Sequence, residues 1–248
     1  LHDGQITSGV RPDFYLRALD EGGLAMLRAF LSERARGEEH PNWRAWCVAR
    51  ADWLPTQERP ADGFPRAWRD GSAEVVNADP RSSYAAVPFL AALSRESGDE
   101  RYLAAALRAA ELCWALDGSR GYFIGGTLDN ANVVDKEAAT LSCAAFLALL
   151  DATGDERWLS PARDAADFAE TWIYLWNVPM PGDEDDAARH WKRGVSTVGA
   201  QLIATGHSPT DGRGQHRHWR PWVATSQLQG IRDAGGHEEL PAPRAASR

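Results

Sequence analysis

The sequence predicts an all-α fold, with helical-hairpin repeats forming a partial (α/α)6-type toroid. Three observations predict it. First, FLAALSRESGDERYLAAALRAAELCW, from Phe89, matches AFLALLDATGDERWLSPARDAADFAETW, from Ala145, without a gap. Gly98 falls over Gly154, Tyr102 over Trp158 and Leu112 over Phe168, a constant offset of 56. Second, a weaker copy, FLSERARGEEHPNWRAWCVARADWL from Phe30, puts Trp43 where Tyr102 falls, at an offset of 59. Third, Leu90, Leu93, Leu103, Leu107 and Leu112 keep the three- and four-residue steps of amphipathic helices.

Each copy reads as helix, tight turn, helix. The Ser-Gly-Asp-Glu and Thr-Gly-Asp-Glu turns place a glycine after one helix and an acidic start on the next. Alanine runs such as 104–106 let helices approach closely. Long loops, 57–83, 117–135 and 177–196, follow the second helix of each copy and hold most of the Gly, Pro and Asp. A fourth copy begins with STVGAQLIATG at Ser196 and stops after Gly206, where HSPTDGRGQHRHWRPW loses the helical period. One further short helix is expected at 221–231. Residues 1–231 therefore read as one incomplete barrel-like domain of three to four hairpins, and 232–248 as a disordered Gly/Pro/Ala/Arg-rich tail.

Composition narrows the function classes. The balance of 44% hydrophobic and 25% charged residues is that of a globular protein. A net charge of -8 argues against nucleic acid or an anionic membrane surface as partner. No apolar run approaches the roughly 20 residues that span a bilayer. The opening LHDGQITSGV has neither a basic start nor an apolar core, so no signal peptide is expected. With few cysteines, a cytoplasmic location is favoured, though a start at Leu1 fits a processed form or a fragment. Cys47, Cys113 and Cys143 sit in apolar helical stretches and read as buried thiols. Eleven tryptophans are a surplus that fits either core packing or a groove lined with flat rings.

The hairpins, together with QERPADGFPRAW (57–68) and GYFIGGTLDNANVVDKEAA (121–139), resemble the six-hairpin (α/α)-barrel glycosidase superfamily over roughly residues 14–207. The family's later hairpins are missing here. The resemblance implies hydrolysis of glycosidic bonds in oligo- or polysaccharides, a carbohydrate partner and no cofactor. It also implies an open barrel seam through which copies could associate.

In such a toroid one rim collects the loops that enter the inner helices. Asp79 aligns with Asp135 and Arg81 with Glu137 at the offset of 56. Asp135 and Glu137 are the leading catalytic candidates, because glycosidases use one carboxylic acid and one carboxylate about 5–10 Å apart. Lys136 could keep one of them ionised. The simpler reading is that both are first-turn acids that cap a helix and complement its dipole. Asn130 and Asp79 are candidate substrate ligands at the same rim, with a turn role for Asp79 ahead of Pro80 as the alternative.

HWKRG (190–194) offers His190 as a catalytic candidate and Trp191, Lys192 and Arg193 as ligands for a sugar hydroxyl or a uronate carboxylate. The alternative is a solvated loop that neutralises GDEDD at 182–186. Trp172, Tyr174 and Trp176 alternate, so they cannot all share one helix face, and Trp176 is a candidate to line the rim. Gln57, Asp62, Gly63, Phe64 and Trp68 read as a structural staple, with Arg66 reaching the rim. No H-E-x-x-H, C-x-x-C or Walker motif occurs, and the His216/His218 pair lacks further ligands, so no metal is expected.

Two other readings stay open. One is a polysaccharide lyase or other uronate-active enzyme, with His190 or Tyr174 as base and Arg193 or Asn130 neutralising the carboxylate. The other is a non-catalytic helical-repeat binding module, or a truncated inactive product.

Overall fold

A computed structural model describes residues 13–57, 63–70, 72–127, 132–177, 196 and 198–200. The fold is mostly helical. Three hairpins follow one another: α1 (Leu16–Ala35) with α2 (Pro41–Gln57), α3 (Val87–Ser97) with α4 (Glu100–Leu116), and α5 (Lys136–Thr153) with α6 (Leu159–Glu170). The odd-numbered helices pack side by side, α1 on α3 and α3 on α5. Each even-numbered helix packs back on its predecessor.

The second and third hairpins repeat the backbone and capping bonds of their turns. Gly98 (φ +75°) and Gly154 (φ +67°) end α3 and α5 in the left-handed region, where a side chain would be strained. Their N–H groups donate to Ser94 O and Leu150 O, both at 2.8 Å. Ser97 Oγ donates to Leu93 O and accepts from Asp99 N, as Thr153 Oγ1 does with Leu149 O and Asp155 N. Asp99 and Asp155 then accept from Arg101 N and Arg157 N, each at 3.0 Å, and so start the next helical segment. The first hairpin turns differently, through residues 36–40 with Gly37 at φ +88°.

Small residues close the helix pairs. Ala105, Ala106, Ala109 and Ala110 on α4, and Ala162, Ala165, Ala166 and Ala169 on α6, are all buried. Between them lie Phe89, Leu90, Leu93, Phe146 and Leu149, each fully buried and contributing about 1.5–3 kcal/mol. Phe146 stacks on Trp158 at 5.8 Å and meets Trp114 edge-on at 5.9 Å. The three cysteines are buried and free.

The all-α expectation lacked one feature. Two strands in the loop after α2, β2 (Ala67–Arg69) and β3 (Val75–Asn77), join β1 (Asp13–Tyr15), which leads into α1, in a small antiparallel sheet of order β1-β2-β3. Strands of three residues are too short to show alternation in a sequence. The sheet anchors the loop through buried Phe64 and Trp68. Trp68 meets Trp53 of α2 edge-on at 5.1 Å, and the Arg50 guanidinium lies over both rings. Arg50 also pairs with Asp20 of α1 at 2.9 Å, both groups buried.

Among the described residues no helix is long and apolar enough to cross a membrane. The expected short helix at 221–231 and tail at 232–248 lie outside the described residues.

Candidate functional site

Three chain entries meet at one end of the hairpin row: β1 into α1, the 3-10 helix Pro80–Ala86 into α3, and the loop 117–135 into α5. Each entry is fixed locally. Asp79 accepts from Arg81 N at 2.9 Å and so caps the 3-10 helix. Asp135 caps α5, its Oδ1 accepting from Ala138 N at 2.6 Å. Its Oδ2 accepts from Gly126 N at 2.8 Å, which ties the loop to the helix start. A Cβ on Gly126 would stand 2.2 Å from Ala138 N, so only glycine permits this approach.

Asp135 is fully buried. Burial pushes its carboxyl up to about 6 against the opposing effect of the two N–H donors. Both oxygens are taken up by backbone, so Asp135 positions the start of α5 rather than facing solvent. Glu137, two residues on, faces outward with its side chain 31% exposed.

Arg17, in the first turn of α1, gathers the site. Its Nη1 donates to Glu137 Oε2 at 2.8 Å and to Gly126 O, and its Nε donates to Glu21 Oε1 at 3.0 Å. Two partly exposed carboxylates thus share one guanidinium. Burial alone would weaken that charge, but Glu137 and Glu21 raise the Arg17 pKa above its ordinary value. Lys136 makes no ion pair with Asp135 or Glu137 among the described residues, and burial lowers its pKa.

Arg66, just before β2, lies 4% exposed. It donates from Nη1 to Gly125 O at 2.6 Å and from Nη2 to Thr127 O. Tyr15, Arg17, Arg66, Ser82, Gly125 and Gly126 close on one another here and leave no room for a water molecule between them. Ser82 Oγ and Tyr84 Oη are buried without a hydrogen-bond partner. Burial, then Asp135, pushes the Tyr84 hydroxyl well above its ordinary range, while Arg66 and Arg17 oppose.

Asp135 and Glu137 thus lie together at the start of α5, where the three chain entries meet. Asp79 sits apart, paired with Arg81, whose Nε lies 3.4 Å from Asp117. Trp176 is 65% exposed beyond α6, while Trp172 packs on Phe168 at 6.0 Å. Asn130, His190, Trp191, Lys192 and Arg193 lie outside the described residues. Sequence reasoning missed Arg17, Glu21, Ser82 and Tyr84. The offset of 56 places Ser82 and Tyr84 over Ala138 and Thr140, just after the second Asp cap, so the repeat did carry a signal for them. Arg17 and Glu21 precede the detectable start of the first copy. Among the described residues no group of three His, Cys, Asp or Glu could hold a metal ion.

No family model, no curated protein and no solved structure matches the chain.

Proposed function

We propose that this chain is a carbohydrate-active enzyme that hydrolyses glycosidic bonds in oligo- or polysaccharides, its hairpins forming part of an (α/α) toroid. The observation that carries the reading is the pair Glu137 and Glu21 on the two sides of Arg17. Sharing a guanidinium keeps two carboxylates within the roughly 5–10 Å at which glycosidases hold their acids. Glu137 takes the role of the group that protonates the leaving oxygen, being the less exposed of the two. Glu21 is the partner that activates water. Asp135 acts through them, holding the α5 start and the glycine loop in register.

The test is turnover of neutral and uronate-containing oligosaccharides, with reducing ends and ultraviolet absorbance followed together. Glu137→Gln should cut reducing-end release by about 100-fold or more while the far-ultraviolet dichroism is kept. Near-normal turnover in both Glu137→Gln and Glu21→Gln would sink the assignment. An absorbing, unsaturated product would replace hydrolysis with a lyase reaction.

A further inference from the structure

The even-numbered helices differ in what they show to solvent. α4 exposes Glu100, Arg101, Arg108 and Glu111, and α6 exposes Arg163, Asp164, Asp167 and Glu170. α2 instead exposes Trp46 between Ala45 and Ala49, and its one exposed charge, Asp52, is taken up by Tyr102 Oη at 2.8 Å and by Arg101. Arg44, half-buried on the same helix, is tied to Glu96 at 3.1 Å. The surface of α2 is therefore aromatic, low and free of unpaired charge. Trp46 is 40% exposed and Trp53 is half-buried. Seven residues apart, they share one stripe and lie about 10.5 Å apart along the helix axis. Between them Ala49 raises only a methyl group. Trp53 is held against Trp68, edge-on at 5.1 Å, with the Arg50 guanidinium over both rings. Phe14 pairs with Trp68 across β1 and β2 and is 45% exposed. Directly paired residues project from the same face of a sheet, so the aromatic strip runs on from α2 to Phe14. Phe14 stands three residues before Arg17, so the strip ends at the same end of the hairpin row as Glu21 and Glu137.

We propose that the strip formed by Trp46, Trp53 and Phe14 binds an extended, uncharged polysaccharide chain. The match is one of shape and of charge. Flat aromatic rings stack on the C–H faces of pyranose rings. The spacing of about 10.5 Å spans about two pyranose rings of an extended chain, so that every second ring meets an indole. A straight helix presents its stripe to a straight chain, and a coiled one would leave it after the first ring. An acidic chain would find no unpaired cation on α2, while a neutral one needs none. The inference rests on the carbohydrate reading above and adds the substrate class: long, extended, neutral polymers, held on the strip while one end reaches the carboxylates.

Calorimetric titration of the full chain tests it, with cellohexaose as the extended neutral ligand, cellobiose as its short form, maltohexaose as a coiled neutral ligand and an oligogalacturonate as an acidic one. Cellohexaose should bind at least tenfold more tightly than the other three. Trp46→Ala and Phe14→Ala should each weaken it severalfold and leave cellobiose little changed, with the far-ultraviolet dichroism kept. Trp46→Phe keeps a flat ring at the same place and should restore most of the affinity, which a loss of folding would not allow. Cellohexaose binding that ignores Trp46→Ala and Phe14→Ala would overturn the strip and leave the carbohydrate reading standing. So would tighter binding of maltohexaose or of the oligogalacturonate. Association of the chain that Trp46→Ala abolishes, with no glycan bound there, would make the strip a contact between two copies and overturn the inference. Binding of none of the four ligands would overturn both readings.

Discussion

At the scale of single residues, two buried acids separate stability from chemistry. Asp20 is wholly buried, and burial raises its pKa from 3.8 to about 6 although Arg50 opposes. A raised folded pKa means that the folded chain holds the proton longer. Stability from this group is present below pH ~4, falls as pH rises and is lost above pH ~6. Asp135 shifts in the same direction, again to about 6. Urea midpoints measured between pH ~4 and ~7 should decline less steeply in Asp20→Asn than in the parent; parallel declines would show that Asp20 carries no such penalty. Asp135→Ala should lose about 2–4 kcal/mol, because a helix cap and the buried Gly126 N–H lose their acceptor together. Glu137→Gln, its side chain 31% exposed, should lose far less. The reading of Asp135 and Glu137 as adjacent site residues was available from their place before a repeated helix. Their different exposure was not, since it depends on where Gly126 and Arg17 arrive from distant sequence.

At the scale of elements, legibility follows locality. The Gly98 and Gly154 turns were readable because every bond in them joins residues within five positions of each other. The three-stranded sheet was not, because β1 pairs with β2 across more than fifty residues and each strand is three long. The first hairpin lost its likeness where its turn lengthened to residues 36–40, which hid Arg17 and Glu21 behind it. Gly98→Ala and Gly154→Ala should each cost about 1 kcal/mol, since both glycines sit at positive φ and make the same backbone bond, and the double variant should cost the sum. A marked inequality in chemical denaturation would show that the two turns are not equivalent. Gly126→Ala belongs to another class. Its Cβ would collide with the backbone of Ala138, and the loop would have to leave the start of α5. Turnover should then fail even where the helices persist, because Arg17 and Asp135 lose their contacts with the loop.

At the scale of the whole molecule, a row of three hairpins has two ends, while a closed ring has none. The large exposed apolar side chains gather toward those ends among the described residues. Phe14 and Trp46 stand on β1 and α2, and Leu175, Trp176 and Val198 stand beyond α6. Trp176 and Leu175 are 65% and 77% exposed, and Tyr174 bonds in both directions to the turn at Gly199–Ala200, so this apolar edge is held in place. Contiguous apolar surface of that kind drives association. A second copy covering that edge would make the sedimentation coefficient rise with concentration. Sedimentation velocity over a hundredfold range of concentration should show that rise in the parent chain and its loss in Leu175→Ser/Trp176→Ser. Glu137 and Glu21 lie near the starts of α5 and α1, away from the replaced side chains, so turnover should survive in the double variant. If association persists unchanged, the contact lies elsewhere. If the parent is monomeric throughout, the exposed aromatic edge is a surface for substrate rather than for a second copy, and the same double variant should then lower affinity for long oligosaccharides more than for short ones.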